Sequence, residues 1–212
     1  AGGVGLAIKA SRPDVRVIGV QAEALAAMKQ ALATGARATL PAASTIADGI
    51  AVRRVGEITL ALAARYLDDV VTVTEEELAN AILLLLEIEK TVVEGAGAAP
   101  LAALLNRKLG LDGRSVVLML SGGNIDVTMI SRIIDRGLVK DARLVRLSVI
   151  LRDQPGALAR LAARVGEARA NILHIEHERA FSRAAIGESR VELTLETSGR
   201  QQIETVKQHL LD

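Results

Sequence analysis

Residues Val116 to Val127 read VVLMLSGGNIDV. Five apolar residues run into Ser121-Gly122-Gly123-Asn124, and a second apolar pattern follows at once. A short β-rich run closed by a hydroxyl and two glycines, with a helical pattern behind it, predicts a buried strand that ends in a turn. In open α/β sheets such strand ends face the crevice where ligands bind, and glycines there let main chain approach a flat ligand closely. An ordinary strand-turn-helix junction has the same spacing, because glycine turns are common.

Two further apolar runs, VRVIGV (Val15–Val20) and VVTVT (Val70–Thr74), alternate with helical patterns. β-branched runs separated by helices predict an open, mostly parallel sheet with helices on both faces. Thr74 precedes EEELANAILLLLEIEK with Glu77 three residues on, which predicts a capping box. Pro100 predicts the first turn of a helix and Gly110 its end. Ile125, Met129, Ile130, Ile133 and Ile134 predict a helix that stops at Gly137. From Arg143 the order becomes β-α-β-β-α, carried by LVRLSVILRD, QPGALARLAARVGEARA, NILHIEHERAF, SRVELTLET and RQQIETVKQHLL. A split βαβ unit needs one more strand, so this half is expected to lack its last one. The expected domains are residues 1–140 and 143–212.

Composition narrows the function. The chain has 212 residues, a net charge of +1 and 50% hydrophobic residues, enough for a real core. With no cysteine, disulfides, thiolate nucleophiles and cysteine-ligated metals are excluded. No basic run or set of stacking aromatics points to nucleic acid. The longest apolar stretch, Ala81 to Leu86, is closed by Glu87 and Glu89, too short to span a membrane. No signal pattern opens the chain, so a cytoplasmic location is expected.

Three stretches acquire meaning together. TIADGIAV (Thr45–Val52), VVEGAGAAPLAAL (Val92–Leu104) and LSGGNID (Leu120–Asp126), in this order and spacing, resemble the threonine ammonia-lyase (threonine dehydratase) family. That family belongs to the fold-type-II pyridoxal-phosphate enzymes, alongside serine racemase. RVIGVQAE and YLDDVVTVTEEEL are similar to family segments too. LRDQPGALARL and ANILHIEHER resemble an ACT regulatory domain of ferredoxin-like fold, so the resemblance covers the whole chain.

The resemblance implies pyridoxal 5'-phosphate as cofactor. It implies that the Ser121 hydroxyl meets the pyridine nitrogen, that Gly122, Gly123 and Asn124 shape the same wall, and that Gly49 lies near the ring through its main chain. Glu94 is implied close to the ring and the reacting centre, where a carboxylate is open to perturbation. A hydroxyl at the ring nitrogen, unlike a carboxylate, does not hold a proton there, which makes the ring a weaker electron sink suited to elimination. The family's Schiff-base lysine and tetraglycine phosphate loop have no match: the lysines are Lys9, Lys29, Lys90, Lys108, Lys140 and Lys207, none in a Ser-x-Lys segment. AGGVGLAIKA (Ala1–Ala10) matches the helix behind the phosphate loop. The chain is therefore expected to be the C-terminal part of such an enzyme, inactive alone.

Glu23 matches a metal-binding carboxylate of serine-racemase-like relatives, but the partner position six residues on is Lys29, so no metal is expected. His174 and His177 are expected on opposite faces of a strand, and His209 in solvent. In the ACT-like half the resemblance implies an amino-acid effector site between protomers, lined by Asp153, Gly156 and Asn171. Main-chain N–H groups near Gly156 suit a carboxylate, and Asp153 with Asn171 an ammonium; a plain turn glycine and an Asn tolerating left-handed backbone would look the same. The implied whole enzyme is a homo-oligomer, dimer or tetramer, that converts L-threonine to 2-oxobutanoate and ammonia, and L-serine as a second substrate. The alternatives are a serine racemase or serine dehydratase, or a non-catalytic amino-acid-binding ACT module.

Overall fold

The computed structural model describes residues 1–179 and 184–211. The chain divides into two compact units, Ala1–Ile133 and Ile134–Asp212. The first holds helix α1 (Gly2–Ser11), strand β1 (Ile18–Ala22), helices α2 (Ala27–Thr34) and α3 (Glu57–Tyr66), strand β2 (Asp69–Val73), and helices α4 (Glu75–Glu87) and α5 (Gly95–Leu105). Helix α6 (Val127–Lys140) leads into the second. There follow β3 (Leu144–Arg152), α7 (Ala157–Glu167), β4 (Asn171–Glu178), β5 (Glu188–Glu196) and α8 (Arg200–Leu211).

In the first unit β1 and β2 pair in parallel, from Ile18 opposite Asp69 to Ala22 opposite Val73. Val71 and Val73 enter a core with Leu78, Ile82 and Leu85 of α4 and Ala98, Ala99, Ala102 and Ala103 of α5. The alanine-rich face of α5 lets that helix lie close to its neighbours. Helix α4 starts where the sequence predicts. The Thr74 side chain accepts from the Glu77 N–H at 3.2 Å, and the Glu77 carboxylate accepts from the Thr74 N–H at 2.8 Å. Glu77 also pairs with Lys108 at 2.9 Å. Burial pushes the Glu77 carboxyl up, but the Thr74 N–H, Lys108 and the Thr74 hydroxyl together hold it below its ordinary range.

Three local expectations differ from the structure. Helix α5 begins at Gly95, five residues before Pro100, and ends at Leu105 rather than at Gly110. Pro100 sits inside it, at the loss of one N–H donor; the buried faces of Gly95, Gly97, Ala98 and Ala99 hold the earlier turns in place. The chain leaves the helix through Asn106, whose side chain donates to the Ala102 carbonyl at 2.8 Å, and turns through left-handed Arg107 and Gly110. Helix α6 runs past Gly137 to Lys140. Val116 to Leu120 forms no helix and joins no strand ladder among the described residues. Val117 is 86% exposed and Met119 58% exposed, so this side of the run is largely open.

The second unit follows the expected β-α-β-β-α order. Its sheet runs β3-β5-β4, antiparallel at both contacts. Val191, Leu193 and Leu195 of central β5 are fully buried against Leu161 and Val165 of α7 and Val206 of α8. The end of the strand expected over NILHIEHERAF, and the first part of the connection after it, fall on residues 180–183 and lie outside the described residues, as does Asp212.

Candidate functional site

Three loops of the first unit converge. The first, before a short 3-10 turn at Asp48–Ile50, is anchored by Glu75, whose carboxylate accepts from the Ile46 N–H at 2.7 Å. The Ala47 N–H donates to Thr45 Oγ1 at 3.1 Å, and Ala47 is fully buried. The second is the start of α5, with Glu94 as its N-cap residue. The third is the turn at Ser121–Asn124.

Glu94 joins them. Its N–H donates to the Gly122 carbonyl at 3.2 Å, and its Oε2 accepts from the Asn124 N–H at 3.1 Å. A Cβ on Gly49 would stand 3.1 Å from Glu94 Oε1 and 3.1 Å from Ala96 Cβ. Gly122 has φ +79°, and a Cβ there would overlap the Glu94 carboxylate. Gly97 lies under the Ser121 carbonyl so closely that a Cβ would collide with it and come within 2.7 Å of Val93 Cγ1. A Cβ on Gly123 would be 3.2 Å from the Val92 carbonyl oxygen. Gly49, Glu94, Gly122, Gly123 and Asn124 are thus one contiguous arrangement. Ser121 is exposed beside them, and no hydrogen bond among the described residues takes its hydroxyl.

This arrangement fits the ring side of pyridoxal phosphate. It offers main chain without Cβ atoms and a hydroxyl still open to a partner. Of its carboxylate, Oε2 accepts the Asn124 N–H, and Oε1 lies beside Gly49 and Gly122 where neither has a Cβ. Sequence reasoning missed the anchoring role of Glu75 and the contact between Gly97 and Ser121. No local pattern signals either one, because each joins residues more than twenty apart.

The three residues expected to line an effector site are not brought together within one chain. Asp153 and Gly156 lie where β3 passes into α7, with Gly156 left-handed at φ +82° as the N-cap residue of α7. Asn171 opens β4 opposite Glu196, which faces Leu144 at the other end of β3. Leu144 and Arg152 are eight residues apart, about 26 Å at roughly 3.3 Å per strand residue. Asp153 accepts from Arg179 Nε at 3.0 Å, and Asn171 Nδ2 donates to Glu196 Oε2 at 3.3 Å. The left-handed residue ahead of β4 is Arg169 rather than Asn171.

His177 Nε2 lies 2.9 Å from the hydroxyl of buried Ser189. His209 Nδ1 lies 3.7 Å from Glu167 Oε2, nearer a partner than a purely solvated residue would be. Glu23 and Lys29 line one open cleft of about 450 Å³ with Leu40 and Pro41. Among the described residues no three His, Asp or Glu side chains are grouped to hold a metal ion, and no helix is long and apolar enough to cross a membrane.

Comparisons with known proteins point to the same cofactor. Residues 1–122 match the family described as pyridoxal-phosphate dependent enzyme, and residues 145–210 match the ACT domain. The chain is 46% identical over 209 residues to the L-threonine ammonia-lyase of Thermotoga maritima, covering 99% of this chain and 52% of that protein. It is 47% identical over 209 residues to the L-threonine ammonia-lyase of Geobacter sulfurreducens, covering 98% and 52%. The chain therefore spans about half the length of these curated relatives. Among solved structures, a threonine deaminase from T.th. superposes with a TM-score of 0.56 at 39% identity, over 59% of this chain and 46% of that one. Maize serine racemase superposes with a TM-score of 0.57 at 30% identity, over 66% and 44%. The glycine-walled loops around Glu94 and the match over residues 1–122 lead to one conclusion: this chain belongs to the pyridoxal-phosphate dependent enzyme family, and it carries an ACT domain behind that match.

Proposed function

We propose that the protein to which these 212 residues belong is a pyridoxal-phosphate-dependent threonine ammonia-lyase. It would convert L-threonine to 2-oxobutanoate and ammonia, with L-serine as a second substrate. The observation that carries this reading is the 46–47% identity to two L-threonine ammonia-lyases over nearly the whole chain. Pyridoxal phosphate would supply the electron sink for charge that develops at the substrate α-carbon. The chain's own part is orientation. Ser121 would present its hydroxyl to the ring nitrogen, and the main chain at Gly49, Gly122 and Gly123 would set the ring's plane. The Asn124 side chain would complete that wall. The small difference between threonine and serine, one methyl group, supports only modest discrimination between them.

The lysine that would bond the cofactor is not one of the six here, since none lies in a matching segment. The 212-residue chain alone is expected to release no 2-oxobutanoate. In the second unit we propose an amino-acid effector site formed between copies of the chain. Asp153 and Gly156 of one copy would face Asn171 of another, because a single chain separates them. Such a site requires a homo-oligomer, a dimer or a tetramer, and the working compartment is proposed to be the cytoplasm. An effector bound there would act only through its different affinities for two enzyme states. The test is a 2-oxobutanoate assay of the full-length protein with L-threonine and pyridoxal phosphate. Cofactor-dependent release supports the reading. Racemised serine without keto acid would contradict it.

A further inference from the structure

A half-buried carboxylate beside a cofactor invites the role of proton carrier, but the surroundings of Glu94 argue for another. Its Oε2 already accepts the Asn124 N–H at 3.1 Å. Its Oε1 is walled by Gly49 and Gly122, each of which lacks the Cβ that would displace it. Its own N–H holds the Gly122 carbonyl at 3.2 Å. The turn it grips is one that needs holding. Gly122 is left-handed at φ +79°, and the apolar run before it is not fixed in any strand ladder among the described residues. A second close constraint on the turn is the Ser121 carbonyl seated on Gly97.

We propose that Glu94 is a positioning residue: its carboxylate clamps the Gly122-Gly123-Asn124 turn by accepting the Asn124 N–H, and so fixes where the Ser121 hydroxyl points. The inference rests on the reading of that turn as the cofactor wall. A clamp of this kind needs an oxygen lone pair and the right side-chain length. It does not need a group that gains or loses a proton. Glutamine keeps the acceptor and the length, alanine keeps neither, and a proton carrier tolerates neither replacement.

The experiment compares Glu94→Gln and Glu94→Ala in the full-length enzyme. It reads pyridoxal-phosphate affinity, fluorescence of the bound cofactor, and the pH dependence of kcat. Leaving the Asn124 N–H without its acceptor is expected to weaken cofactor binding about tenfold in Glu94→Ala and to alter the emission of what remains bound. Glu94→Gln is expected to recover most of that loss, with a pH profile of unchanged shape. Equal inactivity of both variants with normal cofactor affinity would overturn the proposal in favour of proton transfer. Wild-type affinity and emission in Glu94→Ala would overturn it as well. Should Glu94→Ala fail to fold, Glu94→Gln decides alone: a recovered profile supports the clamp, and lost activity with normal affinity refutes it. Failure of the wild-type enzyme to bind cofactor would be a separate result, which removes the cofactor-wall reading and the proposal together.

Discussion

Two stretches of this chain have nearly the same β-forming character and opposite fates. Strand β5, ESRVELTLE, lies between β3 and β4, and its Val191, Leu193 and Leu195 are fully buried. The run VVLML at Val116–Leu120 is still more apolar, yet it joins no ladder among the described residues, and Val117 is 86% exposed. Propensity makes a segment extended, whereas a strand needs a partner for its main-chain donors and acceptors. Strand β5 finds two partners within its own unit. The apolar run finds none among the described residues, and its C-terminal turn is held from the side by Glu94 and Gly97.

This contrast can be broken at several points. The largest effect belongs to β5: Leu193→Ala should destabilise the chain by about 2–5 kcal/mol in denaturant unfolding, as expected for a buried leucine. Gly97→Ala comes next, at about 1–3 kcal/mol, because its methyl group would strike the Ser121 carbonyl. A fall in thermal midpoint without loss of helix would show that the turn yields while α5 survives. Thr74→Ala removes half of a capping box and should lower stability by about 1 kcal/mol in the same assay. The smallest effect belongs to the unpaired run, where Val117→Ser should change stability by less than about 0.5 kcal/mol. A loss there equal to that of Leu193→Ala would mean that the run is paired after all, and the comparison would fail.

Acid should act on the same cap. The Glu77 carboxyl is held below its ordinary range in the folded chain, so its contribution to stability is complete above the unfolded value of about 4.3. That contribution is lost as pH falls through the unfolded and then the lower folded value. A Glu77→Gln variant should show a shallower fall in stability over that acid window when unfolding is followed against pH.

What could be read from the sequence was what sits within a few residues. The capping box needed only Thr74 and a glutamate three positions on, and it is present as expected. The alternation of β5 and the β-α-β-β-α order of the second unit were legible because period-two patterns report burial directly. Helix α5 was misjudged because Pro100 and Gly110 are local signals, and tertiary burial of its glycines and alanines overrode them. Within the candidate site, the identities of Ser121, Glu94 and the glycines were visible, but not what joins them. Glu94 reaches Asn124 across 30 residues and Glu75 reaches Ile46 across 29, distances at which a sequence carries no register. The separation of Asn171 from Asp153 was hidden for the same reason, since it follows from the strand order of the sheet.

The turn at Ser121–Asn124, clamped by Glu94, is proposed as the ring side of a pyridoxal-phosphate site. A crystal structure of the full-length protein with pyridoxal phosphate tests it most directly. The ring nitrogen is expected within hydrogen-bonding distance of Ser121 Oγ, with the main chain of Gly49 and Gly122 against the ring and the Asn124 N–H still bound to Glu94. A cofactor seated elsewhere, with the Ser121 hydroxyl turned to solvent, would contradict it.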